Sequence, residues 1–177
     1  MKIAVAAVLA ATAATASAGT YLGVGVGPGP AVHADAPLDE HGRAGRLIAG
    51  YSFSRLAIEG TATGFDLGHV DRSRFTEYSV RQLAIAGKLS LPIGSGFEGF
   101  GKLGLHQTWF SSDAMPGSVT GSGMLFGAGI ALGLDAIIAK GSLFLEYSYS
   151  AADLDEAPAT MSEVGTRLWM LGFTIGL

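Results

Sequence analysis

The end of the chain constrains the fold more than any other stretch, because Leu168–Leu177 alternates strictly between two kinds of side chain. A period of two indicates a β-strand with one apolar face. The apolar face carries an aromatic or large aliphatic side chain at every position, and the other face carries mostly small ones. The apolar positions are Trp169, Leu171, Phe173, Ile175 and Leu177. Such a strand needs a pairing partner on both edges, which a closed barrel provides.

The composition favours a barrel over membrane-spanning helices. Apolar residues make up 49% of the 177 residues, charged residues only 15%, and 27 residues are glycine. Beyond position 18, however, no apolar run reaches the length of about 18 residues that a spanning helix needs. In a membrane barrel the apolar residues occupy every second position of each strand, which is consistent with this pattern.

The first 18 residues have the organisation of a secretory signal peptide. Lys2 provides the positive start, the apolar run covers Ile3–Ala16, and Ala16-Ser17-Ala18 forms a small-residue cleavage site. A short buried helix is the alternative interpretation. We therefore predict a signal peptide at residues 1–18 and one barrel domain at residues 19–177. The chain has no cysteine, which excludes disulfides and a lipid-modified cysteine.

Eight segments of the mature chain show strand alternation, and the connections between them are alternately long and short. The long connections, after the odd-numbered strands, carry most of the 15 acidic residues. This asymmetry is typical of outer-membrane barrels, which have short periplasmic turns and longer external loops. The prediction is an all-β fold, an eight-stranded antiparallel up-and-down transmembrane β-barrel in the bacterial outer membrane with both termini periplasmic. The segments are Thr20–Gly27, Arg46–Phe53, Leu56–Phe65, Ser79–Leu91, Phe97–Phe110, Met124–Leu134, Ser142–Ser150 and Leu168–Leu177.

Several strand ends make the chain resemble the OmpA-like outer-membrane β-barrel family. They include the segment Ala49–Phe53, the segment Leu56–Gly60 after a tight turn, Lys102–Leu105 and the terminal Leu171–Leu177. The order and spacing of these short motifs carry the resemblance, which covers the mature chain. The resemblance implies assembly by the barrel assembly machinery, which acts on the last strand of family members.

Charged residues at inward positions form the main candidate site. Glu59, Lys88, Lys102 and Glu146 lie at similar distances from the predicted turns, so we expect them in one layer of the lumen. Isolated charges there would be costly, whereas paired charges are tolerated. We therefore predict a lumen ion-pair network that Arg46 and Glu98 could extend. An eight-stranded barrel is filled by its own side chains, and inward glycines should leave room for Phe100 and Lys102. The network either gates a small conductance or only stabilises the core.

Other candidate residues face outward. Arg81 and Arg167 lie at the external ends of two strands, where they could contact the phosphates of lipopolysaccharide. Ordinary interfacial snorkelling is the alternative role for both arginines. Aromatic side chains at Tyr21, Trp109, Tyr149 and Trp169 are candidates for the interfacial belts.

Catalytic and metal chemistry have little support in the sequence. His106 and Thr108 share the inward face, but no serine, histidine and acid set can be assembled on the lipid-facing side. The four histidines lack metal-ligand spacing, so no metal or other cofactor is expected. The net charge is −4 and there is no basic stripe, which argues against nucleic-acid binding.

These patterns predict a monomeric outer-membrane protein that is not an enzyme and has a structural or surface-exposed role in adhesion or envelope integrity. Its expected partners are outer-membrane lipid and lipopolysaccharide, the barrel assembly machinery and an unidentified ligand of the external loops. A small or gated pore is the first alternative, and a lipid A-modifying enzyme is the second. A soluble lipocalin-like barrel is disfavoured, because the polar face has too few large apolar residues to form a core.

Overall fold

The computed structural model describes residues 19–33, 42–71, 74–112, 118–135, 140–154 and 163–177. These residues form nine strand segments, and two of the connections, Ser54–Arg55 and Ser95–Gly96, are described turns. The predicted signal peptide, residues 1–18, lies outside the described residues. The segments are β1 (Thr20–Pro28), β2 (Ala31–His33), β3 (Arg43–Phe53), β4 (Leu56–Asp71), β5 (Arg74–Gly94), β6 (Phe97–Ser112), β7 (Ser118–Asp135), β8 (Lys140–Leu154) and β9 (Glu163–Gly176).

The strands close into a barrel through the first and last segments. Every strand pairs antiparallel with its neighbours, and β9 pairs both with β1, for example Val24 opposite Phe173, and with β2. The short β2 continues the first barrel strand after Pro28 and Pro30, which cannot donate a ladder hydrogen bond. The nine segments therefore make eight barrel strands, and the predicted fold class is confirmed.

Several strands extend further than the sequence pattern indicated. We expected the long connection between the third and fourth predicted strands, residues 66–78, to be a charged loop; this is wrong, because β4 and β5 stay paired as far as Asp71 opposite Arg74. The predicted loops at 111–123 and 151–163 are likewise shortened by the ends of β6 and β8 and the starts of β7 and β9. Beyond the apolar belt both faces of a strand can be polar, so hydrophobic alternation stops while backbone pairing continues.

Side chains alternate between an apolar outer surface and a filled interior. Val26, Leu47 and Leu105 are 66%, 64% and 62% exposed on the outside. Inward residues are buried, and glycines make room for the largest of them. A Cβ at Gly129 would meet the ring of Phe100 at 2.5 Å, and one at Gly127 would lie 3.4 Å from the Cβ of Lys102. The expected filling of glycine positions by these two side chains is confirmed.

Two turns among the described residues mark one end of the barrel, called the turn end below. The turn end has the turn Ser54–Arg55, where Ser54 has a φ of 62°, and the turn Ser95–Gly96, where Gly96 has a φ of 79°. The described ends of the chain, Gly19 and Leu177, lie at this end, since Ser52 N donates to Gly19 O and Leu177 N donates to Thr20 O. The opposite end is called the loop end below. No helix long and apolar enough to cross a membrane occurs within the described part of the chain.

Candidate functional site: a charged layer inside the barrel

The candidate site is a layer of charged side chains in the lumen, called the charged layer below. Its members are Arg46 on β3, Glu59 on β4, Lys88 on β5, Lys102 on β6 and Glu146 on β8. Each occupies an inward position because it alternates along its strand with outward apolar residues. Four of them are almost fully buried, with exposures of 0% for Glu146, 1% for Glu59, 4% for Arg46 and 7% for Lys102.

Lys102 joins the two carboxylates of the charged layer. Its Nζ donates to Oε2 of Glu146 at 2.5 Å. The same ammonium forms an ion pair with Oε2 of Glu59. The other carboxylate oxygen of Glu59, Oε1, accepts a hydrogen bond from Nζ of Lys88 at 3.2 Å. The four residues that we predicted to share a layer are therefore in direct contact as a chain of ion pairs.

Arg46 belongs to the same layer. Its Nη1 donates to Oε1 of Glu146, its Nε donates to the hydroxyl of Thr63 at 2.9 Å, and its Nη2 donates to the hydroxyl of Ser148 at 3.2 Å. Ser148 in turn donates to the backbone carbonyl of Leu168 at 3.5 Å. A guanidinium suits this position because its planar, fixed donors can serve several acceptors at once. These bonds connect the charged layer to the wall formed by β3, β4, β8 and β9.

Tyr21 contacts the charged layer, although the sequence interpretation placed it elsewhere. Its hydroxyl donates to Oε1 of Glu59 at 2.6 Å, so its assignment to an interfacial belt is wrong. Tyr21 pairs directly with Gly50, and Gly50 pairs with Glu59. The missing Cβ of Gly50 leaves space for the tyrosine ring. The inward orientation of Tyr21 could be predicted from the sequence, since alternation along β1 places Tyr21 on the same face as inward glycines.

The charged layer carries an excess of one positive charge. Three cations, Arg46, Lys88 and Lys102, face two carboxylates. The side chain of Lys88 is the most exposed of the five, at 16%. Its ammonium also lies 4.5 Å from the ring centroid of Phe100, at cation–π distance. Lys102 lies 5.2 Å from the same ring, so Phe100 contacts both lysines.

Glu98 does not extend the network. It is exposed and lies next to the Ser95–Gly96 turn. No ion pair between described residues includes it. The reason is its position at the start of β6, where an inward side chain still reaches the solvent at the mouth of the barrel.

A second, uncharged polar layer lies nearer the loop end and surrounds His106. The Nδ1 of His106 is 3.2 Å from Nε2 of Gln82 and 3.0 Å from the hydroxyl of Thr108, and its Nε2 is 3.1 Å from the carbonyl oxygen of Ala151. Gln82 Nε2 also donates to Ser150 at 3.1 Å. These contacts use both ring nitrogens of His106 for lumen hydrogen bonds. In the described ranges no group of three or more His, Cys, Asp or Glu could hold a metal ion.

The outward arginines lie apart from the lumen. Arg81 and Arg167 are both exposed. Arg81 pairs across the strands with Trp109, and Arg167 pairs with Tyr149. Below Arg167, the rings of Tyr147 and Trp169 lie 5.0 Å apart. The structure therefore places each arginine beside an aromatic side chain on the lipid-facing surface.

Replacing Lys102 by methionine tests the ion-pair chain at its centre. The variant keeps most of the side-chain length, one heavy atom short, but leaves Glu59 and Glu146 with one cation less, so we expect the free energy of unfolding to fall by about 3 kcal/mol. Urea unfolding in detergent micelles measures this change. The matched control is Lys140→Met, because Lys140 is exposed at the start of β8. Equal stability of both variants would contradict a structural role of the network.

This protein is similar to known proteins in its three-dimensional structure but not in its sequence. No protein-family model and no curated protein matches this sequence. Among solved structures, Ail, the attachment invasion locus protein of Yersinia pestis, is 18% identical, with a TM-score of 0.58 and coverage of 90% of this chain and 99% of that one. A further structure shows Ail in complex with the heparin analogue sucrose octasulfate.

Two other solved structures are similar to this chain over nearly the whole barrel. Neisserial surface protein A is 12% identical with a TM-score of 0.65, covering 89% of this chain and 97% of that one. The outer membrane protein OprG from Pseudomonas aeruginosa is 14% identical with a TM-score of 0.54, covering 89% of this chain and 95% of that one. The chain therefore has the fold of the small eight-stranded outer-membrane β-barrel proteins, as the resemblance to the OmpA-like family predicted.

Proposed function

We propose that this protein is an integral outer-membrane β-barrel with a structural or surface-exposed role in adhesion or envelope integrity, and that the charged layer closes its lumen. The observation that carries the proposal is the burial of that layer inside an apolar belt. Arg46, Glu59, Lys102 and Glu146 are at most 7% exposed and contact one another across the lumen.

The outer surface supports a membrane location. Large apolar side chains are exposed all around the belt, for example Val24 at 55%, Ile85 at 60% and Leu171 at 58%. In water such a continuous apolar surface would be an aggregation liability, whereas in a bilayer it is the favourable arrangement. A soluble lipocalin-like barrel would have the opposite distribution of polar and apolar faces.

The loop end is the proposed contact surface for other cells or envelope components. The segments 34–41, 113–117 and 155–162, which fall between described strands at this end, lie outside the described residues; in the sequence two of them are acidic, with Asp35, Asp39 and Glu40 in the first. One protein of similar fold is named for attachment and invasion. That name supports a surface role for this chain only through the shared fold.

Pore and enzyme functions have less support. A conducting path would have to pass the ion pairs of Lys102 with Glu59 and Glu146, which occupy the lumen. An enzyme would need an activated nucleophile, yet the hydrogen bonds of His106 go to Gln82, Thr108 and a backbone carbonyl. We therefore propose that the protein is not an enzyme. We also propose that it is a monomer, inserted by the barrel assembly machinery with its chain termini on the periplasmic side.

Cysteine labelling tests this location and orientation. The chain has no cysteine of its own, so single substitutions give a clean signal. Ser118→Cys places a thiol at the loop end and Ser95→Cys places one in an exposed turn at the other end. With a membrane-impermeant maleimide on intact cells, we expect labelling of Ser118→Cys alone, and labelling of both variants after lysis. Recovery of the protein in the soluble fraction, or the reverse labelling, would contradict the proposal.

A further inference from the structure

The lipid-facing surface has a groove that the proposed function does not use. This outer groove has a volume of about 760 Å³ and crosses the outer faces of β4 to β8. Its floor is formed by the small residues Gly87, Gly101 and Ala128, and its walls include Leu103 and Phe126. A Cβ at Gly101 would meet nothing closer than the carbonyl oxygen of Gly127 at 4.0 Å, so the space above this floor is open.

One cross-strand row of the sheet lines the outer groove and continues beyond it to a cation. Ile58 pairs with Gly87, Gly87 with Leu103, and Leu103 with Phe126. The row continues from Phe126 to Tyr149 and ends at the exposed Arg167. Ile58 lies close to the Ser54–Arg55 turn, whereas Arg167 lies close to the start of β9 at Glu163. The row therefore rises from the turn end of the barrel toward the loop end; the groove lining ends at Tyr147 and Tyr149, and Arg167 is the cross-strand neighbour of Tyr149.

The dimensions and chemistry of the groove match a single phosphorylated lipid. Adjacent strands are about 4.8 Å apart, so the four steps from Ile58 to Tyr149 cover about 19 Å. One leaflet of the apolar core is about 15 Å thick, so an acyl chain of ordinary length fits beside this row, over the floor of small residues. At the upper end, a Cβ at Gly165 would lie 3.2 Å from the hydroxyl of Tyr149, so that hydroxyl lies over Gly165, two residues before Arg167 on the same face of β9. Arginine and tyrosine together can donate hydrogen bonds to a phosphate.

The aromatic pair below Arg167 marks the level of the headgroup. Tyr147 and Trp169 contact each other at 5.0 Å between ring centroids, and Tyr147 also lines the groove. Tyrosine and tryptophan prefer the boundary between apolar core and headgroups. Arg167 precedes Trp169 on β9 and faces the same side. A phosphate at Arg167 would therefore lie at headgroup level while its acyl chain enters the groove.

We propose that the outer groove binds one lipid A molecule, with a phosphate on Arg167 and one acyl chain over Gly101 and Gly87. The choice of lipid A rests on the proposed function, because the loop end then faces the outer leaflet, where lipopolysaccharide is found. Arg81 takes no part in this site. Its cross-strand row runs from Gly64 through Trp109 to Thr120 and does not line the groove.

Binding of lipid A to the purified protein in detergent tests the proposal, with native mass spectrometry as the readout. We expect about tenfold weaker binding for Arg167→Gln, which loses a charge-assisted phosphate contact, and a similar loss for Gly101→Leu, which fills the floor. The matched controls are Arg81→Gln and Gly45→Leu. Gly45 also faces outward, and nothing lies within 4 Å of a Cβ there. Both controls should change binding by no more than about twofold, in keeping with normal contributions of exposed residues.

The other outcomes overturn the assignment. If the control variants lose as much lipid A binding as Arg167→Gln and Gly101→Leu, lipid A binds the whole outer surface without a specific site. If phosphatidylglycerol binds as tightly as lipid A, lipid A is excluded as the specific occupant. A dimer that Gly101→Leu disrupts would mean that a second copy of the chain fills the groove. Insertion of every variant into lipid vesicles is measured in parallel. If all variants insert normally and Arg167→Gln and Gly101→Leu bind lipid A as well as the wild type, the groove proposal fails while the proposed function stands. If the wild type does not insert, the proposed function fails.

Discussion

Glu146→Gln should be the most destabilising single substitution in the lumen, lowering the free energy of unfolding by about 3–5 kcal/mol. Glu146 is fully buried and holds both Arg46 and Lys102 through its two carboxylate oxygens. The neutral amide leaves these cations in a site of low polarity with a single remaining carboxylate, Glu59. The positive excess of the charged layer then rises from one charge to two. Reversible urea unfolding in micelles measures the effect.

The control for this prediction is Glu98→Gln. The same chemical change is made there at an exposed carboxylate outside the ion pairs, so we expect a change of less than about 0.5 kcal/mol. If Glu146→Gln is as mild as Glu98→Gln, the buried ion pairs do not stabilise the barrel. A larger effect of Glu98→Gln would mean that the turn end of β6 has contacts that the structure does not show.

Gly50→Ala should destabilise the barrel by about 2–4 kcal/mol through a single side chain. A Cβ at Gly50 would meet Cε2 of Tyr21 at 2.8 Å and its hydroxyl at 2.6 Å, and all three nearest atoms belong to that ring. The ring must move, and its hydrogen bond to the buried Glu59 is lost. The measurement is the unfolding free energy of Gly50→Ala in the wild-type background and in the Tyr21→Ala background.

The two backgrounds separate this mechanism from a general effect on the strand. When Tyr21 is already alanine, Gly50→Ala should cost less than about 0.5 kcal/mol, because the two substitutions share one contact. Gly45→Ala on the same strand is the matched control and should be nearly neutral, since nothing lies within 4 Å of its Cβ. An equal cost of Gly50→Ala in both backgrounds would show that the glycine is needed by the backbone of β3 and not by Tyr21.

The architecture was accessible from the sequence because a membrane barrel imposes alternation on every strand. Leu83, Ile85 and Leu89 face outward, and Gln82 and Ala86 face inward, as alternation along this segment predicts. The alternation of apolar and polar residues does not predict where a strand ends. The pairing of β4 with β5 continues through polar residues to Asp71 and Arg74, where no apolar face is required.

The candidate site was accessible in part. The inward positions of Glu59, Lys88, Lys102 and Glu146 follow from counting along each strand, and the need to compensate buried charge suggests pairing. Which atoms pair depends on the tilt and curvature of the closed sheet, and one sequence does not specify them. Arg46 reaches Glu146 across the lumen, from β3 to β8. Tyr21 reaches Glu59 because Gly50 leaves space between them. Both contacts join strands distant in sequence.

The charge excess is also a property of the assembled layer. The four residues first grouped by their position sum to zero, and the layer becomes positive only when Arg46 is counted. Lys88 has the most exposed side chain of the five and contacts Phe100, an arrangement that lessens the cost of an additional cation.

Single-channel recording of the purified protein in a planar bilayer tests most directly whether the charged layer closes the lumen. We expect no steady conductance from the wild type, because the ion pairs of Lys102 with Glu59 and Glu146 occupy the interior of a barrel that its own side chains fill. The variant Lys102→Ala, which removes the bridging side chain, should show at least brief openings. A stable, ohmic current through the wild-type protein would contradict the account.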